Sequence, residues 1–466
     1  MLQRVMPMRK NARTAAVSAG PEVSVLLPVS DAYVRRDRYI PVSRRAILET
    51  LSAPDLWPGF DPATVRTCFR YLAHWRHLNY ADEAVGLIED YQPFNPDRDI
   101  APTAIAADAG GEAHKQAFIG RVRNMLERAN YEEIPRGKLQ ALVDEENPYG
   151  LELEVNLEEF SEIVLYVRGE ASETVHPDMA ARLRGKKSVE IAVFQRVFLV
   201  LCLKPVEQRV KEIMTAERVS DTKARKTLAK HRKALPKNVD DGHVYIKMFK
   251  DMPRPDLEVI FPNTRIKLRS QDKMTIGASA GGGVGMGVIS MITKAIAAAL
   301  TPIGAALALL GLAGAASQQV AQVVQKRTRY MLKVTRNLYF HNISSNQGAL
   351  ALLTERAEEE DIKEELLLYA LLAKTSVRRD ELSHAQAAIE EFLTQQFNVH
   401  VTFDTEDALK RLIAAGLVVE HADGALMAMA PATAAKHIDD MWDVYLDRIS
   451  DAEHAVAGVS GSAHAG

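Results

Sequence analysis

One stretch constrains this chain more than any other: GASAGGGVGMGVISMITKAIAAALTPIGAALALLGLAGAA, from Gly277 to Ala316. It sits in a run from Met274 to Val324 of 51 residues without an acid, in which Lys294 is the one base. Pro302 and Gly304 mark a turn near its middle. Each leg then has roughly 20 residues, the length a helix needs to cross about 30 Å of hydrocarbon. The expectation is a Gly/Ala-rich transmembrane helical hairpin. Gly277, Gly281 and Gly285, Gly283 with Gly287, and Gly311 with Ala315 keep the small-residue spacing that lets helix backbones approach in lipid. Lys294, Pro302 and Gly304 fall at the hairpin turn or far interface, where a lysine stem can snorkel. Both flanks are basic: Arg265, Lys267, Arg269 and Lys273 before the run, Lys326, Arg327 and Arg329 after it. These bases are candidates for lipid head-group contact, and they place both flanks on the cytoplasmic or matrix face. Two other readings stay open, re-entrant or peripheral attachment and a buried soluble helix pair. A phosphate loop does not, because no Gly-x-Gly-x-x-Gly or Walker spacing is present.

The remaining composition is that of a folded protein of two or three domains: 466 residues, 47% hydrophobic, 26% charged, net charge −3. Cys68 and Cys202 stand among apolar neighbours and read as reduced core residues. Residues 1–37 read as a basic flexible tail, with an organellar transit peptide as the alternative for residues 1–21. Residues 38–142 show helical periodicity, broken by QPFNPD at 92–97. Residues 143–273 change period. LELEVN, EIVLYVRGE, EIAVFQRVFLVLCLK, HVYIKMF and TRIKL predict a mostly antiparallel sheet of three to five strands, with Val193–Leu203 as its buried central member. A basic helical insertion follows the third of these. Its charges read either as a solvated face with pairs such as Glu207–Lys211 and Asp221–Arg225, or as a surface for anionic lipid or nucleic acid.

Residues 325–448 are expected to be helical and winged-helix-like, and 449–466 a flexible tail. The acids from Glu355 to Glu365, including Glu358, Glu359 and Asp361, read as a solvated run, with Leu366–Ala373 packing into a core. His341, beside Asn342 and Asn346, reads as part of a capped loop, since no second His or Cys stands at ligand spacing. Two helices, a third ending in Gly416, and a hairpin turning at Asp423-Gly424 follow in winged-helix order. The third helix carries Asp404, Glu406 and Asp407 against Lys410 and Arg411, too little positive charge to hold a duplex. The expectation is docking of an unknown protein partner or a simple structural role in the core, not nucleic-acid binding. The fold class is α+β throughout.

Several phrases resemble the transmembrane protein 143 family, which shares domain of unknown function 3754: RYIPVSRRAIL, YQPFNPD, EIPRGKLQALV, YVRGE, FKDMPRPDLEVIFPNTRIKLRSQDK, YFHNISSNQGALALLTERAEEEDIKEELLLYALL and FDTEDALKRLIAAGLV. The resemblance implies a membrane protein of bacteria or organelles whose hydrophobic segment lies where the Gly/Ala run stands. It carries no catalytic residues. No catalytic constellation, cofactor motif or metal-ligand spacing is legible either, so no enzyme is expected. The expected function is a membrane-anchored scaffold or regulator that holds the α+β and winged-helix-like domains against a bilayer containing anionic lipid. The membrane is a bacterial inner membrane with both termini cytoplasmic, or an organellar inner membrane. The alternatives are a homo-oligomeric pore or transporter, lined by Lys294, Gln318 and Gln322, and a soluble or peripheral protein.

Overall fold

The structure, a computed structural model, describes residues 37–97, 111–143, 152–175, 189–233, 235, 239–267 and 338–445. Residues 274–324, and with them every hairpin residue named above, lie outside the described residues, as do Arg269, Lys273, Lys326, Arg327 and Arg329. Along the chain run α1 (Arg44–Leu51), α2 (Pro62–Tyr91), α3 (Glu112–Arg128), β1 (Glu132–Glu133) and α4 (Arg136–Val143). Next come β2 (Glu152–Glu154), β3 (Phe160–Val175), β4 (Val189–Leu203), α5 (Val206–Glu217), α6 (Asp221–Arg232), β5 (Val244–Pro253) and β6 (Arg265–Lys267). The last group is β7 (Asn342–Ser345), α7 (Asn346–Leu372), β8 (Val377–Arg378), α8 (Leu382–Phe397), α9 (Thr405–Ala414), β9 (Val418–Glu420), β10 (Ala425–Ala428) and α10 (Pro431–Asp443). The class is mixed helix and antiparallel sheet.

Two compact units result, and neither is contiguous in sequence, unlike the serial division read from the chain. One gathers residues 1–90, 113–131 and 350–466, the other residues 91–112 and 132–349.

The second unit is built on an antiparallel sheet of order β1-β3-β4-β5-β7. β4 is its middle strand, as the run of Val, Phe and Leu demands. From Val197 to Leu203 no side chain is more than 4% exposed, so both faces are covered, and a strand covered on both faces is apolar continuously rather than alternately. On one face Val197, Leu199, Leu201 and Leu203 pack with Phe160, Leu165, Phe249 and Phe261. Gly169 interrupts β3 with φ +72°, and the Gln195 side chain of β4 occupies the space a Cβ would take. Between β4 and β5, α5 and α6 fold on each other around Val210, Ile213, Ala224 and Leu228. β2 and β6 form a separate antiparallel pair in which Arg265 and Lys267 stand opposite Glu154 and Glu152. The stretch after His341, expected as a loop, is instead edge strand β7, paired with β5. Asn346 ends it with φ +50°, and its side-chain oxygen accepts from the Ile246 amide at 3.1 Å.

The first unit packs α1, α2, α8, α9, α10 and the C-terminal half of α7 around one core that includes Trp57, Phe69, Leu366, Tyr369, Leu409 and Ile438. Ser43 caps α1, and Asp404 caps α9 by accepting from the amides of Glu406 and Asp407. β8, β10 and β9 form a small antiparallel sheet in that order, turning at Gly424 with φ +79°. Gly416, with φ +68°, ends the turn after α9.

Candidate functional site

The densest chemistry among the described residues lies on one turn of α7. Asp361, Glu364 and Glu365 are spaced i, i+3, i+4 and therefore share one helix face. That face is inside the protein: Asp361 and Glu365 are fully buried, Glu364 nearly so. Three arginines from three helices meet them. Arg411 of α9 spans all three carboxylates, with Nη1 3.1 Å from Asp361 Oδ1, Nη2 donating to Glu364 Oε2 at 2.6 Å and Nε to Glu365 Oε1 at 2.9 Å. Arg128, in the last turn of α3, donates to Asp361 Oδ2 from Nε and Nη2 and to Glu83 from Nη1. Arg76 of α2 reaches Glu365 Oε1 at 2.7 Å. Tyr80, one helical turn from Arg76, donates its hydroxyl to Asp361 Oδ2 at 2.6 Å, and the Arg128 guanidinium lies over its ring at 4.5 Å. Asn130, held at φ +58°, donates to Glu364 Oε1 at 2.8 Å.

A second pair stands beside this face. Lys363 is 1% exposed at its side chain and donates to Glu360 Oε1 at 2.6 Å and to the Ile40 carbonyl at 2.7 Å. Glu360 accepts from the Ile40 amide in return. The buried charges balance: Arg76, Arg128, Lys363 and Arg411 oppose Glu360, Asp361, Glu364 and Glu365. Half-exposed Glu83 adds one more negative charge. Burial pushes the Glu364 carboxyl up to about 8, with Asp361 and Glu360 adding to the rise and Arg411 and Asn130 opposing it. At about 8, the Glu364 carboxyl is protonated near neutrality, burial being the first cause. Burial also raises Glu365. Desolvation works against the Arg411 cation, but Asp361, Glu364 and Glu365 outweigh it and keep it charged.

This corrects the reading of Glu355 to Glu365 as a solvated run. Glu358 and Glu359 are half-buried, Glu358 bound by Arg44 and His77 and Glu359 by Arg356, while Asp361 is wholly interior. The acids are inside because arginines far away in sequence neutralise them. Arg76, Tyr80, Arg128, Asn130 and Arg411 carry no local signal of this role. The one hint is that the acids run straight into Leu366–Ala373 on the same helix. Each carboxylate is held by at least one cation, so the cluster suits locking helices together better than receiving a substrate. A cleft of about 500 Å³ opens between α2 and α3, with Glu83, Leu87, Asn124, Met125 and Arg128 on its walls.

Other residues singled out in the sequence fall as follows. Cys68 and Cys202 are both buried and neither forms a disulfide. His341 meets the Lys250 carbonyl at 2.8 Å, and among the described residues no group of three His, Cys, Asp or Glu is placed to hold a metal ion. The basic insertion spends several charges internally. Arg209 is buried against Glu158, Glu159 and Glu212, Lys204 pairs with Glu212, and His231 and Arg232 flank buried Glu159. Asp221 and Arg225 pair at 2.9 Å as the spacing requires, but Glu207 meets Arg225 rather than making an ion pair with Lys211. No helix of the described residues is long and apolar enough to cross a membrane.

No solved structure matches the chain. Residues 160–348, which hold the central strands of the sheet and the Gly/Ala segment, match the family described as Protein of unknown function (DUF3754).

Proposed function

We propose that this chain is a membrane-tethered scaffold or regulator without chemistry of its own, held by the segment 274–324, and that its likeness to the transmembrane protein 143 family extends beyond the matched residues. The observation that carries the reading is the acid-free run of 51 residues between two basic flanks. A second feature supports it. Just after the downstream flank, Tyr339 and Phe340 are 78% and 61% exposed and stack edge to face at 5.2 Å. An exposed aromatic pair beside bases suits the bilayer interface, where amphipathic rings and cations gather. The flanks and both units then face the cytoplasm or an organellar matrix. Carbonate extraction with protease accessibility tests this: the protein should stay in the pellet with 274–324 protected. Release into the supernatant, with that segment cleaved, would remove the tether.

In the first unit, the chain order α8, α9, β9, β10 and the sheet order β8-β10-β9 support a winged-helix reading. Its partner on this proposal is a protein. Lys410 is paired with Asp407, and Arg411 is spent on the buried carboxylates, so α9 retains almost no charge for phosphates. The hairpin instead exposes Val419 and Met427, directly opposite each other across β9 and β10. Retardation of duplex DNA at low salt by the wild type, abolished by Lys410→Glu, would overturn the protein-partner reading.

A further inference from the structure

Helix α6 has two unlike sides. Ala224 and Leu228 are buried against Val210 and Ile213 of α5, and Arg225 is drawn to Glu207 and Asp221. Lys223, Lys226, Lys230 and Lys233 are all exposed. Lys233, just past the helix end, keeps helical backbone angles of φ −59° and ψ −23°, so it stays in register with the other three. At 3.6 residues per turn these four positions fall within an arc of about 80°, centred roughly 160° from the buried pair, and they extend over about 15 Å of helix axis. Among the described residues no ion pair engages Lys223, Lys226 or Lys233. Three of the four acids of this helical hairpin are engaged elsewhere, Glu207 and Asp221 by Arg225 and Glu212 by Lys204 and Arg209, while Glu217 lies exposed at the end of α5. The four exposed lysines form a straight row of cations along the helix.

We propose that this lysine stripe of α6 docks the second unit on an anionic bilayer surface, an inference that rests on the membrane reading and names the lipid charge it requires. The chemistry of the row favours lipid over nucleic acid. Lysine is a hydrated point charge without the planar fork that grips one phosphate in a fixed orientation. The stripe holds no aromatic ring to stack a base and no amide to read one. It therefore recognises charge density, which a fluid leaflet of acidic headgroups supplies along its whole length. Each lysine near such a surface is worth up to about fivefold in affinity, and the effect fades beyond roughly 8 Å at physiological salt.

The test uses the purified full chain offered to a mixture of two differently labelled vesicle populations, phosphatidylcholine alone and phosphatidylcholine with phosphatidylserine. The wild type should favour the serine-containing vesicles, and added salt should weaken that preference. The joint variant Lys223→Gln, Lys226→Gln, Lys230→Gln, Lys233→Gln should cut the preference on the order of 10²-fold, if the four contributions multiply. The matching four Lys→Arg changes should keep it, and so should Lys436→Glu, at an exposed base on α10. An unchanged preference in the glutamine variant overturns the proposal. Equal capture by both vesicle types overturns it as well but leaves the tether standing. Salt-reversible capture by anionic vesicles alone keeps the stripe and removes the tether. No capture by either type removes both. Binding of single-stranded polyuridylate that the glutamine variant loses, with no vesicle preference in the wild type, would reassign the stripe to nucleic acid.

Discussion

At the scale of single residues, Glu364 and Arg411 define how the interior charge cluster responds to change. The folded-state value of about 8 for Glu364 lies above its ordinary 4.5, so the folded chain binds this proton more tightly than the unfolded chain. The stability this group contributes is full below about pH 4.5, declines as pH rises, and is gone once pH passes about 8, a swing on the order of several kcal/mol. Glu364→Gln mimics the protonated form. Chemical denaturation at stepped pH should show the variant losing much less stability than the wild type between pH 5 and pH 8, and parallel profiles would contradict the assignment. Arg411→Ala leaves Asp361, Glu364 and Glu365 with fewer partners in a dry interior and should cost about 3–5 kcal/mol by the same assay. Arg411→Lys should recover only a fraction, because one ammonium cannot span three carboxylates as the guanidinium fork does.

At the scale of elements, agreement with the sequence follows how local the cause is. β4 was legible because covering both faces of a strand requires an unbroken apolar run, and Val193–Leu203 is one. Asp404 and the two glycines at 416 and 424 likewise announce a helix start and two turns through chemistry confined to a few residues. The reading of Glu355–Glu365 on α7 as solvated fails for the opposite reason. Helical periodicity places Asp361, Glu364 and Glu365 on one face, but whether that face meets water depends on Arg76, Arg128 and Arg411, which come from three other helices. Gly169 gives a test at this scale. A Cβ there would come within 2.5 Å of Gln195 Oε1, on a backbone with φ +72° that L side chains rarely adopt. Gly169→Ala should cost about 1–3 kcal/mol, read as a lower thermal midpoint. An unshifted midpoint would show that β3 tolerates a side chain there.

At the scale of the whole molecule, the first unit is assembled from segments that begin and end the chain. Val65, Phe69 and Leu72 of α2 share a core with Leu366, Tyr369, Leu409 and Ile438, more than 290 residues downstream. A fragment of residues 38–131 should therefore lack a cooperative thermal transition by circular dichroism. Co-expression with residues 350–445 should restore helix and cooperativity. If 38–131 melts cooperatively alone, the discontinuous unit is not a folding unit.

Read alone, the chain of letters already specified the α+β class, the buried middle strand and the hairpin at Asp423-Gly424. Each follows from periodicity, turn chemistry or composition within a short window. It did not specify which side of α7 faces inward, how the two units draw on separated segments, or which acid each arginine of the basic insertion meets. Those outcomes depend on charges brought together by folding. A buried carboxylate is tolerable only when its cation arrives, and that arrival is written nowhere near it.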